Sequence, residues 1–230
     1  MKKIILCIAV FASILVACED EETATIISQG DYPVKEYYLE RDPKVNVWGA
    51  GMDFIHSECS LSKTDLDYEY MTDSSDFSYD IKFYIVKAYY YDDNGDLQNE
   101  GCPAMLLSEE TKACKMGEGV SYFDSLTLVT EDMISLLEND PAIDYSLYKD
   151  ETTGFYDQES LYTALDSCII GQSFRSDILV VPDGMTEEEV QAVYLVKTKE
   201  GGYAKFMMKE YKPDAPNQKQ SLVRWQVISE

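Results

Sequence analysis

The sequence predicts a mainly β fold: an antiparallel, β-sandwich-like domain with one or two short helices. Three observations predict it. From Tyr79 onward, Ile81, Phe83 and Ile85 alternate with Asp80, Lys82 and Tyr84, the two-residue period of a strand with unlike faces. Near the C-terminus, two alternating runs flank Lys199-Glu200-Gly201-Gly202, a turn whose glycines can take positive φ. Composition agrees. The 230 residues hold 18 tyrosines against two tryptophans, and tyrosine favours pleated, half-buried surfaces and half-wet binding faces.

The chain opens with Lys2 and Lys3, followed by an apolar or small run from Ile4 to Ala17. This is the basic and apolar pattern of a secretory signal. It is shorter than the roughly 20 residues of a membrane-spanning helix. Leu15-Val16-Ala17-Cys18 follows in register and resembles the lipobox of bacterial lipoproteins. The resemblance implies cleavage after Ala17, a diacylglycerol on the Cys18 sulfur, and Cys18 as the new N-terminus. Glu19, Asp20, Glu21 and Glu22 come next. An acidic cluster at this position is similar to the surface-export signal of Bacteroidetes lipoproteins; the plainer alternative is a charged linker. Such a run stays solvated and is repelled by anionic headgroups, so it is expected to act as a tether holding the domain off the membrane. The expected organisation is a signal peptide over 1–17, a lipidated tether and irregular lead-in over 18–43, ending at Asp42-Pro43, and one β-rich domain over 44–230.

Cleavage removes two lysines and no acid, so the net charge falls from −24 to −26. A chain this acidic repels nucleic acid and anionic lipid, which makes both poor partners. Membrane attachment is expected through the lipid alone, at the outer membrane and facing outward.

Within the domain, the strand from Tyr79 runs into Tyr89-Tyr90-Tyr91 and stops at Asp92-Asp93-Asn94-Gly95-Asp96. Asn-Gly there is a strong tight-turn signal. Asp92, Asn94 and Asp96 have the spacing that opens a calcium loop, but Leu97 stands where that loop needs glycine. A hairpin turn is expected instead. Gly49-Ala50-Gly51 and Gly117-Glu118-Gly119 are too short for phosphate cradles and read as turns. One helix is expected to start after Thr130, with Glu131 and Asp132 in its first turn, and to stop before Pro141. A second follows Asp157 over about Gln158 to Asp166, with Leu161 and Leu165 one turn apart. At the C-terminus, residues 192–198, 203–211 and 221–229 read as a three-stranded antiparallel meander with one wet face. Ala204, Phe206 and Met208 share one side of its middle strand. Tyr203, Lys205, Met207 and Lys209 share the other.

Four cysteines remain besides Cys7 and Cys18. In an exported chain they permit two disulfides. The favoured pairs are Cys102 with Cys114, which closes a short loop, and Cys59 with Cys168; four free thiols are the alternative. The cysteine spacing does not suit a zinc knuckle, and no metal site is expected at the cysteines.

The stretch VYLVKTKEGGYAKFMMKEY followed by SLVRWQVIS resembles the C-terminal hairpin and last strand of the HmuY-like haem-binding lipoproteins of Bacteroidetes, over roughly residues 176–229. That resemblance implies an all-β surface fold capturing haem between two axial ligands, histidine or methionine. His56 is the single histidine, so a bis-histidine grip within one chain is excluded. Met52, Phe54 and His56 fall on one face by alternation. His56, Met52 and Met116 are therefore the candidate haem or metal ligands, against a plain reading of His56 as a satisfied strand-end residue. Tyr89, Tyr90 and Tyr91 are candidates for stacking a sugar or a porphyrin. No Gly-x-Ser-x-Gly elbow or singled-out carboxylate pair marks an enzyme. The expected function is non-enzymatic ligand binding by a surface lipoprotein, with haem as a candidate cofactor and an outer-membrane transporter as a candidate partner. The alternative is a glycan-binding or adhesive accessory lipoprotein.

Overall fold

The computed structural model describes residues 26–40, 47–56, 58–63, 79–143, 145–148, 156–171, 181–212 and 220–230. The signal, the lipobox with Cys18 and the acidic run lie outside the described residues. The strands of the first half are β1 (Ile26–Ser28), β2 (Lys35–Glu40), β3 (Val47–Asp53), β4 (Glu58–Lys63), β5 (Ile81–Tyr91) and β6 (Leu97–Leu107). The second half adds β7 (Lys112–Glu118), β8 (Leu128–Thr130), β9 (Tyr156–Asp157), β10 (Ala192–Lys197), β11 (Tyr203–Lys212) and β12 (Gln220–Ser229). The helices are α1 (Gly119–Ser125), α2 (Glu131–Ser135), α3 (Gln158–Asp166) and α4 (Glu187–Val190).

The fold is mainly β and antiparallel, as expected. The first sheet has the order β4-β3-β5-β6, with the short β9 running parallel beside β5. The second has the order β2-β12-β11-β10-β7. A separate two-stranded ribbon pairs β1 with β8. The β5–β6 hairpin turns where Asn-Gly predicted. Gly95 sits at φ 82°, and the Asp92 carboxylate accepts the N–H groups of Asn94 and Asp96 at 3.0 and 2.9 Å. Backbone bonds from Asp92 N–H to the Asp96 carbonyl and from Gly95 N–H to the Asp92 carbonyl close the turn with it, and the bond from Asp96 N–H chiefly holds the carboxylate's pKa down. Gly49 to Gly51, expected as a turn, lie inside β3, paired with β4 and β5 on either side. β1 and β2 lie in the expected lead-in, and each pairs with a distant strand.

The two sheets face each other across one core. Met52, Phe54, Ile81 and Met105 from the first meet Tyr194, Val196, Phe206, Met208 and Trp225 from the second, all at most 3% exposed. Phe54 packs tilted on Phe206 and Trp225 with ring centroids 5.9 and 6.0 Å apart. Ala204, Phe206 and Met208 share this side, as the alternation predicted.

The other side of the second sheet is not wet. Val193 and Met207 lie under Phe123 and Leu126 of the α1 region. Leu195, Tyr203 and Ile228 lie under Val129 of the ribbon and Leu137. The sheet is a middle layer, buried on both faces. This is why Lys205, expected on a solvated face, is 1% exposed. Its ammonium donates to the Phe123 and Leu126 carbonyls at 2.7 and 3.0 Å and lies 4.7 Å from the Phe123 ring centroid. A lysine from the sheet thus caps the C-terminal end of α1, which has no basic residue of its own. Burial nonetheless lowers its pKa.

α3 runs over the expected residues, and the Asp157 carboxylate accepts Ser160 N–H at 2.9 Å as its N-cap. The helix after Thr130 is shorter than expected. It ends at Ser135, because Glu138 leaves it to bridge Ala113 and the Asp140 carboxylate turns back to accept Leu107 and Ile169 N–H at 2.7 and 2.8 Å. α1 opens where Gly117-Glu118-Gly119 was read as a turn. Gly119 takes φ 82°, and a Cβ there would lie 2.6 Å from the Glu189 carbonyl oxygen.

Candidate functional site

Among the described residues, Asp53, His56, Asp80, Lys199 and Glu200 gather where two turns meet. β3 ends at Asp53 and residues 54–56 turn toward β4. Residues 198–202 turn β10 into β11, with Gly201 at φ 96°. The turns touch at Ile55 and Gly202.

The floor of this corner is Asp80, 0% exposed, immediately before β5. Its carboxylate accepts Phe54 N–H at 2.9 Å from one turn and Lys199 N–H at 2.9 Å from the other. The Thr111 hydroxyl adds a longer contact at 3.4 Å. Its backbone accepts Ser108 N–H and donates to the Met52 carbonyl, each at 2.9 or 2.8 Å. One residue therefore clamps both sheets and the β6–β7 connection. Desolvation raises its pKa, only partly offset by the two backbone donors.

The rim is ionic. Lys199 Nζ lies 2.5 Å from Asp53 Oδ2 and 2.6 Å from Glu200 Oε1. His56 Nδ1 lies 3.0 Å from both Asp53 oxygens and 4.0 Å from Glu200 Oε1. Burial pushes the Asp53 pKa up, but bonds from Lys199 and His56 outweigh it and hold the carboxylate below its ordinary value. The Asp53 bond raises the pKa of His56. Desolvation pulls Lys199 down, while Asp53 and Glu200 together lift it above its ordinary value.

This rim has a definite chemistry. A carboxylate on Nδ1–H selects the tautomer whose lone pair is on Nε2 and fixes the ring's orientation, the arrangement that carboxylates give metal-ligating histidines. The His56 side chain is 59% exposed. Asp53, His56 and Glu200 also bring one donor atom each within 4.8 Å of one another. The Lys199 ammonium already lies between the two carboxylates, so a cation entering that triangle must displace it.

The candidate ligands do not assemble. Alternation placed Met52 and His56 on one face, but the strand ends at Asp53, so the next three residues turn instead of alternating. Met52 stays in the core between the sheets and His56 emerges into solvent. Met116 lies on the far side of the second sheet, its sulfur 3.4 Å from Cys114 Sγ. Of the three, only His56 is presented outward.

Tyr90 and Tyr91 stand at the tip of the β5–β6 hairpin, 38% and 67% exposed, beside Leu97, which pairs with Tyr91. The Tyr89 side chain lies outside the described residues. Cys114 and Cys168 are free buried thiols, so neither expected disulfide is formed. Cys114 packs against Met116 and the Met133 carbonyl, and Cys168 against the Ala164 carbonyl, both inside apolar surroundings. Burial pushes these thiols up to about 11 and about 12. The side chains of Cys59 and Cys102 lie outside the described residues.

Sequence reasoning missed Asp80, Lys199 and Glu200. Gly201 marked the turn that carries the last two, but the acids that Lys199 meets at this corner besides Glu200 lie more than a hundred residues away. A scan against protein-family models and a search of the curated proteins each found no match. Among solved structures, the chain is similar to a protein from Bacteroides vulgatus assigned as HmuY-like and heme-binding, at 13% identity and TM-score 0.42, covering 84% of this chain and 90% of that one. It is also similar to the apo form of an HmuY analog from Tannerella forsythia, at 12% identity and TM-score 0.42, covering 88% of this chain and 99% of that one.

Proposed function

We propose that the chain is a lipid-anchored lipoprotein of the outer surface whose β domain captures a ligand without transforming it. Anchoring rests on the order of basic start, apolar run, Leu15-Val16-Ala17-Cys18 and four acids. Ligand capture rests on one observation above others: an exposed imidazole with Nδ1 held by Asp53 and a lone pair left on Nε2. Haem iron is the ligand this nitrogen suits, with His56 as the one protein ligand the described residues present; the expected second ligand, Met52 or Met116, is not brought to it. A non-enzymatic reading agrees with the raised thiols and with a corner whose acids and base are spent on one another.

Titrating purified mature protein with haemin tests this. A Soret shift at micromolar haemin, lost in His56→Ala, is expected. No shift in the parent protein sinks the haem version. A second reading, glycan binding, is favoured by the exposed Tyr90 and Tyr91 at the hairpin tip. It predicts glycan-array binding that Tyr91→Ala removes and His56→Ala leaves intact.

A further inference from the structure

β1 and β8 form a ribbon with unlike faces. Their register pairs Ile26 with Thr130, Ile27 with Val129 and Ser28 with Leu128. The inner face is committed: Val129 is 0% exposed and Ile27 packs beside it over Leu195, Tyr203 and Ile228 of the second sheet. The outer face carries Ile26 at 59% exposure and Leu128 at 44%, diagonal neighbours across the ribbon. Leu136, at the end of the helix that leaves β8, is 56% exposed. Ser28 and Thr130 share this face, opposite Leu128 and Ile26, and the Thr130 hydroxyl is turned to Met133 N–H.

Ile26 is the eighth residue after Cys18. Even fully extended, eight residues reach about 28 Å. A compact domain of this length is about 40 Å across. The leash is shorter than the domain is wide, so Ile26 cannot lie on the side turned away from the lipid. The ribbon also lies on the side of the second sheet turned away from the first sheet and its β5–β6 hairpin.

We infer that the outer face of the β1–β8 ribbon rests on the bilayer surface, with Ile26 and Leu128 among the lipid headgroups. This rests on the lipoprotein reading above. It replaces the expected stand-off tether with a seated domain. The contact is made by two apolar side chains among hydroxyls. The net charge of −26 left after cleavage favours zwitterionic over anionic lipid.

The test uses the mature acylated protein in phosphatidylcholine vesicles with and without brominated chains, which quench only nearby indoles. Leu128→Trp reports the ribbon. Leu97→Trp, at the hairpin tip, is the control. The expected result is a roughly twofold loss of the added emission for Leu128→Trp and none for Leu97→Trp, as for an indole at a membrane interface. Equal responses from acylated protein would overturn the inference alone. So would a Leu128→Trp emission already blue-shifted without vesicles, which would put the chain's own leading segment or a second copy on the ribbon. A mass showing no acyl chains would overturn the lipoprotein reading and this inference together.

Discussion

Asp53 and Asp80 sit at one corner of the molecule, and Lys199 serves both. It gives Asp53 its ammonium and Asp80 only its backbone N–H. The two carboxylates shift in opposite directions. Asp80 is enclosed and held by uncharged donors, so desolvation wins and its pKa rises. Asp53 is nearly as enclosed, at 4% exposure, but a cation and an imidazole reach it from the rim, and its pKa falls. Burial alone does not decide the fate of a buried acid; what matters is whether a full charge or only a dipole answers it.

The largest expected effect follows from Asp80. Asp80→Asn keeps the shape but replaces one acceptor with a donor, leaving Phe54 N–H or Lys199 N–H unpaired in a dry site. A loss of about 3 kcal/mol is expected, read by urea unfolding. An unchanged midpoint would mean that the clamp does not hold the two turns together.

Lys205 extends the comparison to a base. Lys199 lies between carboxylates and its pKa is raised, whereas Lys205 meets only carbonyls and an aromatic ring and its pKa is lowered. Lys205→Met leaves the Phe123 and Leu126 carbonyls without their donor and is expected to cost about 2 kcal/mol. A base whose folded pKa is lowered contributes stability that is present above its unfolded value of 10.5 and is lost as pH falls through the folded value. The penalty of Lys205→Met should therefore grow from neutral toward alkaline pH. A flat profile would mean that the ammonium is hydrated.

The same linkage separates the two acids. Asp53, lowered, contributes stability that is present above 3.8 and is lost as pH falls through its folded value. Asp80, raised, contributes stability that is present below 3.8 and is lost as pH rises through its folded value. Asp53→Asn should cost about 1.5 kcal/mol near neutrality and progressively less in acid. The penalty of Asp80→Asn should grow in acid. Parallel profiles between about pH 7 and about pH 3 would erase the contrast.

How much of this was legible follows the range of the causes. Local causes left local marks. The alternation from Ile81, the Asn-Gly turn at Gly95, the helical spacing of Leu161 and Leu165 after Asp157 and the glycine turn at Gly201 each produced the element expected of them. Elements made by distant partners left none. β2 is a strand because β12 lies beside it, and Gly49 to Gly51 are extended because β4 and β5 flank them. Lys205 looked like a solvated residue because nothing in its own strand shows that α1 lands on it. The site divided the same way. His56 stood out as the single histidine, but its grouping with Met52 assumed that alternation continued through residues that turn. Asp80 looked like any polar residue at the foot of a strand.

The smallest effect on stability is the sharpest for function. His56 is on the open rim, so His56→Ala should barely move the unfolding midpoint, while Asp53 keeps Lys199. On the proposed haem capture, its effect belongs in binding. Nε2 can take iron only on a neutral ring. Asp53 raises the pKa of His56 above 6.5, so protons compete with iron at a higher pH than for a free imidazole. Haemin affinity should therefore weaken as pH falls through that raised value. Asp53→Asn, which withdraws the carboxylate, should shift the weakening to lower pH. Measuring the Soret titration from about pH 8 to about pH 5.5 in both proteins checks this. A pH-independent affinity, or one unchanged by Asp53→Asn, would remove His56 from the binding step and leave the exposed tyrosines of the β5–β6 tip as the place to look.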